Sequence, residues 1–114
     1  MEEEFVGSFY FDITSNGNLV GEFSNNKSII IQTESANVIN KKGKPFEGTF
    51  ISTWFDSKLN RAKLTVEVFG CKFKLTWTET NNQDYYGEGF LKGNILIGYY
   101  KKVVHVRPET NNLD

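Results

Sequence analysis

Between Ala62 and Thr78 apolar and polar positions alternate almost without a break. Ala62, Leu64, Val66 and Val68 fall on one side, and Lys63, Thr65 and Glu67 on the other. Phe69-Gly70 reverses the chain. Cys71, Phe73, Leu75 and Trp77 then share the apolar side, while Lys72, Lys74, Thr76 and Thr78 share the polar one. A period of two is the mark of a half-buried antiparallel strand.

The same period recurs along the chain and predicts eight strands. The first is Phe5 to Ile13, with Phe5, Gly7, Phe9, Phe11 and Ile13 on one face. Asn16-Gly17 supplies the positive φ angles of a tight hairpin, and Leu19 to Phe23 returns. Ser28 to Thr33 is the third strand; its consecutive Ile29, Ile30 and Ile31 suggest burial on both faces, or an edge covered by another part of the protein. From Glu34 to Lys44 the alternation lapses: Ser35 to Ile39 fits a short strand or one helical turn, Asn40 to Pro45 is a polar, Lys-rich loop, and the whole reads as the longest irregular piece, a flexible rim. Phe46 to Phe55, Arg61 to Phe69, Cys71 to Thr78, Tyr85 to Lys92 and Ile95 to Val104 complete the set. Glu79 to Asp84 reads as a polar loop, and Met1 to Glu4 as a loosely held start. No segment carries the i, i+3, i+4, i+7 pattern of an amphipathic helix.

Eight short strands in succession give an up-and-down, all-β topology. Closing the sheet removes exposed edges. The expected fold is an eight-stranded antiparallel β-barrel over residues 1–106, followed by a polar tail at 107–114; a two-sheet sandwich is the alternative. A chain of 114 residues suits one domain with one core. Its 17 aromatics (ten Phe, five Tyr, two Trp) are the main core material.

Composition removes several function classes. A formal net charge of −1 with both signs interspersed offers no basic face for nucleic acid. One cysteine, Cys71, excludes an intramolecular disulfide framework and leaves too few soft ligands for zinc. No metal or nucleotide motif is present, so no cofactor is expected. The acidic start carries no secretory pattern, and no run of 18 apolar residues exists. A cytoplasmic protein without membrane association is the resulting expectation.

The acid/base inventory is thin. His105 is the sole histidine and reads as an edge residue. Cys71 shares the side of Phe73 and Leu75 and reads as a buried thiol. Asp12, Glu22, Glu47 and Glu88 could serve as an acid/base pair only if two of them faced the barrel interior. Alternation instead sets Glu47 outside. A non-enzymatic protein is expected.

Two motifs repeat. Aromatic-x-Gly-small-aromatic occurs at Phe5-Val6-Gly7-Ser8-Phe9 and at Phe46-Glu47-Gly48-Thr49-Phe50. A turn, aliphatics, Gly and an aromatic occur at Gly17 to Phe23 and at Gly93 to Tyr99. Strand glycines permit the coiling of a narrow barrel, or let a ring from the next strand lie over bare backbone. Gly-x-aromatic strands in an eight-stranded meander resemble the small barrels of the avidin and lipocalin type. The resemblance implies a barrel with a ligand cavity, walled by strand-borne tryptophans; Trp54 and Trp77 each end a strand. The polar ligand residues of avidin-type barrels are not matched, and Gly7-Ser8-Phe9 stands where lipocalins carry Gly-x-Trp.

An eight-stranded barrel either fills with side chains or holds one small ligand. The pocket expected here lies at the Trp54/Trp77 end, with Phe50 and Phe73 on the same inner faces and Tyr86 or Tyr99 supplying a hydroxyl. The expected ligand is small and mostly apolar. The alternative is a filled core whose outer face, with Ile51, Phe55, Phe90 and Tyr100, mediates homo-oligomerisation.

Overall fold

The computed structural model describes residues 5–79 and 84–103. The readings for 1–4, for 80–83 in the loop, for His105 and for the tail at 107–114 lie outside the described residues. Eight strands follow one another: β1 (Val6–Ile13), β2 (Leu19–Asn25), β3 (Gln32–Lys41), β4 (Gly48–Phe55), β5 (Leu59–Phe69), β6 (Lys72–Glu79), β7 (Asp84–Lys92) and β8 (Ile95–Val103). Each pairs antiparallel with the next, and β8 pairs antiparallel with β1, closing the barrel. The barrel, and not the sandwich, is the fold. Closure pairs Val6 with Lys101 and Phe9 with Gly98, so no strand is left as an edge.

Inward positions follow the period of two. Phe9, Phe11, Leu19, Ala36, Leu64, Val66, Leu75 and Leu96 form a buried column along the barrel interior. At one end, tight turns join β1 to β2, β5 to β6 and β7 to β8, with Gly17, Gly70 and Gly93 at positive φ. Gly70 and Gly93 adopt the left-handed conformation that a β-branched residue would resist.

The third strand departs from expectation. Ile29, Ile30 and Ile31 are exposed and belong to the connection between β2 and β3, not to a strand buried on both faces. β3 instead occupies Gln32–Lys41, with a register shift between Val38 and Asn40; of the two readings of Ser35–Ile39 the strand holds, and it runs on into the stretch expected as a loop. Its inward residues are Glu34, Ala36 and Val38. An acid, a methyl group and one aliphatic give too little contrast against Ser35 and Asn37 for alternation to show. Cys71 is also corrected: it is exposed in the turn after Gly70, one residue before β6 begins. Among the described residues no helix is long and apolar enough to cross a membrane.

Candidate functional site

At the end of the barrel opposite those tight turns, the side chains do not fill the interior. A cavity of about 250 Å³ opens there, ringed by Phe5, Phe23, Trp54, Trp77, Tyr85 and Tyr100. Phe5 precedes β1, Phe23 is near the end of β2, Trp54 near the end of β4 and Trp77 near the end of β6. Tyr85 opens β7 and Tyr100 lies near the end of β8. The rings meet edge-on or tilted. Trp54 is T-shaped to both Phe23 and Tyr85, with centroids 6.2 and 6.3 Å apart. Tyr100 touches Phe5, Phe23, Trp77 and Tyr85 at 5.9–6.1 Å. Such geometry suits the positive edge and negative face of each ring. It also sets the rings of the cavity wall against one another.

Tyr100 can point inward because its cross-strand neighbours on both sides are glycines, Gly7 on β1 and Gly87 on β7. A Cβ on Gly7 would meet the Tyr100 ring at 2.5 Å, and one on Gly87 would meet the Trp77 ring at 3.2 Å. The strand glycines therefore make room for two rings of the site, the second of the two roles the sequence suggests for them.

One charged residue faces this aromatic wall. Glu34 on β3 is only 7% exposed and lines the cavity. Ser52 Oγ donates to its Oε2, and Trp77 Nε1 donates to the same oxygen at 2.7 Å. Among the described residues no donor reaches Oε1, and no cation pairs with the carboxylate. Burial pushes the Glu34 carboxyl up to about 7, against the opposing pull of the Ser52 and Trp77 donors. Burial also pushes the Tyr85 and Tyr100 phenols up to about 12, so both stay neutral donors. Asn25 Nδ2 donates to the Tyr100 hydroxyl at 3.1 Å. Asn25, Gln32, Lys27, Ser28 and Asp56 form the polar rim. Ser28 and Gln32 bracket the exposed Ile29–Ile31, so three isoleucines stand beside the opening.

Of the six residues expected at the site, Trp54 and Trp77 are there. Phe50 and Phe73 are buried inside the barrel away from this cavity. Phe73 packs against Phe46 at 6.4 Å, and Phe50 borders a second hollow at the opposite end, under Lys41–Pro45. Tyr86 and Tyr99 are on the outer surface, where both hydroxyls donate to Glu88, at 3.1 and 3.0 Å. Those two bonds, the Tyr99 bond first, hold the Glu88 carboxyl below its ordinary value. The hydroxyls inside belong to their neighbours, Tyr85 and Tyr100. Gly87 and Gly89 are buried on the same face as Tyr85, which sets Tyr86, Glu88 and Phe90 outside. On β8 the aliphatic run Ile95-Leu96-Ile97 hides the parity; Leu96 and Tyr100 face in, so Tyr100 leaves the expected outer patch. Phe90 and Phe55 are exposed as expected, and Ile51 is half-buried.

Sequence reasoning missed Glu34. The signal available was Glu34-x-Ala36-x-Val38, a two-residue spacing that sets the acid on the apolar side. Among the described residues no group of His, Cys, Asp or Glu is arranged to hold a metal ion. Comparison with protein-family models, curated proteins and solved structures finds no match to this chain.

Proposed function

We propose that this barrel is a non-enzymatic binding protein that holds a small, mostly apolar molecule in the cavity between Trp54, Trp77, Tyr85 and Tyr100. The observation that carries the reading is an open cavity walled by six aromatic rings, with the buried Glu34 carboxyl among them. Its volume of about 250 Å³ lies just under the ~300 Å³ at which drug-sized sites begin. At about 30 Å³ per water-sized group the space suits roughly eight such groups. Aromatic walls with few polar groups are the usual lining of such sites. A cytoplasmic setting, read from composition, remains part of this proposal.

The test is native mass spectrometry of the purified chain, combined with titration of tryptophan emission by small aromatic and aliphatic fragments. An adduct lost on denaturation, or a saturable emission change, is expected. Trp54→Ala should weaken either signal. Ser28→Trp, at the rim and outside the core, should obstruct the opening while the barrel stays folded. A bare protein with no saturable response to any fragment would overturn the reading.

A second reading, self-association through the outer surface, is supported by Phe55 and Leu59. They face each other across β4 and β5 and are 63% and 65% exposed. Sedimentation velocity over a range of concentrations tests it. A multimer that Phe55→Ser dissociates would support this use, and a monomer throughout would exclude it.

A further inference from the structure

Resting on the reading of the cavity as a ligand site, we infer that its ligand is a small organic ammonium ion, whose N–H donates to Oε1 of Glu34 while its apolar body lies against the rings. Glu34 is more than nine-tenths buried and faces the cavity. Ser52 and Trp77 both donate to one of its oxygens, and among the described residues no donor reaches the other, which is open to the cavity. A buried carboxylate without a counter-charge is costly, and an incoming cation relieves that cost. A carboxylate ligand would add a like charge beside it. The electron-rich faces of the ring wall also favour a cation. A neutral apolar molecule would use the rings and leave Oε1 unsatisfied.

The groups around Glu34 do not supply the missing charge. β1 and β2 bring Phe5, Phe9, Phe23 and Asn25 to the cavity. β6 brings Trp77 and, two residues on, Glu79, whose carboxyl is raised by burial. β7 and β8 bring the neutral phenols of Tyr85 and Tyr100; the Lys102 ammonium of β8 stands over the Phe5 ring, 5.9 Å from its centroid, and acts on Glu79 without pairing with Glu34. Lys27 in the β2–β3 connection and Asp56 after β4 are exposed, opposite in sign, and both at the rim.

The test uses the full chain and three probes of matched size: 2-phenylethylammonium, 2-phenylethanol and phenylacetate. At pH 8 the ammonium should bind at least tenfold more tightly than the alcohol, and phenylacetate should bind least. With the Glu34 carboxyl ionising near pH 7, the ammonium affinity should rise about tenfold from pH 6 to pH 8 while the alcohol affinity stays level. Glu34→Gln keeps an acceptor for Ser52 and Trp77 and should erase the ammonium preference without abolishing alcohol binding. Should that variant not fold, the pH series on the unaltered protein decides alone. An alcohol that binds as well as the ammonium at pH 8, or an ammonium affinity level with pH, overturns this inference and leaves the binding reading standing. If none of the three saturates, both fall.

Discussion

The indole N–H of Trp77 reaches across the barrel interior to Glu34, 43 residues away in sequence, with 2.7 Å between nitrogen and oxygen. Each meets a need of the other. The carboxylate needs donors where water is excluded, and a buried indole needs an acceptor. The pair ties β3 to β6, which share no ladder in the barrel.

Stability should therefore depend on pH in an unusual direction. Glu34 titrates near 7 in the folded barrel and near 4.5 when unfolded, so the folded state binds its proton more tightly. That contribution is complete below pH 4.5 and is lost as pH rises toward and through 7. The loss is on the order of 3 kcal/mol for a shift of this size. Thermal melts at pH 5.5 and pH 8.5 should show the lower midpoint at pH 8.5, and Glu34→Gln should narrow that gap. A gap of equal size in the variant would assign the pH effect to other groups.

Trp77→Phe keeps a ring and removes the donor. The Glu34 carboxyl should then titrate still higher than about 7, since a bond favouring the ionised form is gone. Carbon-13 NMR of the labelled carboxyl measures this directly. The stability cost should be about 1–3 kcal/mol, most of it from the buried oxygen losing a partner.

Gly7→Ala should destabilise the barrel by about 2–4 kcal/mol, because the added methyl group would run into Ser24 O and the Tyr100 ring together. Chemical denaturation gives the number. The same variant should disturb Tyr100 and hence the cavity, whereas Tyr99→Phe, on the outer surface, should leave fragment binding unchanged.

Cys71 should react with a thiol reagent in the native protein at close to the rate of a free peptide thiol, with one equivalent labelled and no loss of structure by circular dichroism. Slow labelling that tracks unfolding would place the thiol inside after all.

Much of the barrel was legible from alternation, because β5 and β6 set rings and aliphatics against Lys, Thr and Glu, and β1 and β4 repeat their inward rings at even spacing. Trp54 and Trp77 could be placed at one end for the same reason. Three features escaped, each where alternation loses contrast. Glu34 sits among small polar neighbours on β3, so its inward face has no hydrophobic signature. Tyr85-Tyr86 and Tyr99-Tyr100 are doublets, and a doublet leaves the choice of inner ring to parity carried from elsewhere. The three isoleucines before β3 carry the composition of a buried strand, yet only their neighbours line the cavity, and no inner face covers them.

The closing ladder between β1 and β8 has a practical consequence. Lys102 donates its backbone N–H to Phe5 O, and Phe5 itself lines the cavity. The described barrel thus begins and ends at the rim where the cavity opens. An affinity handle or fused partner joined ahead of Phe5 or behind Val103 shares that doorway. A labelled version of the protein should report weaker or slower uptake than the bare chain, and removing the handle should restore it. Insertions at Gly93-Asn94, on the far end, offer the quieter place to attach a reporter.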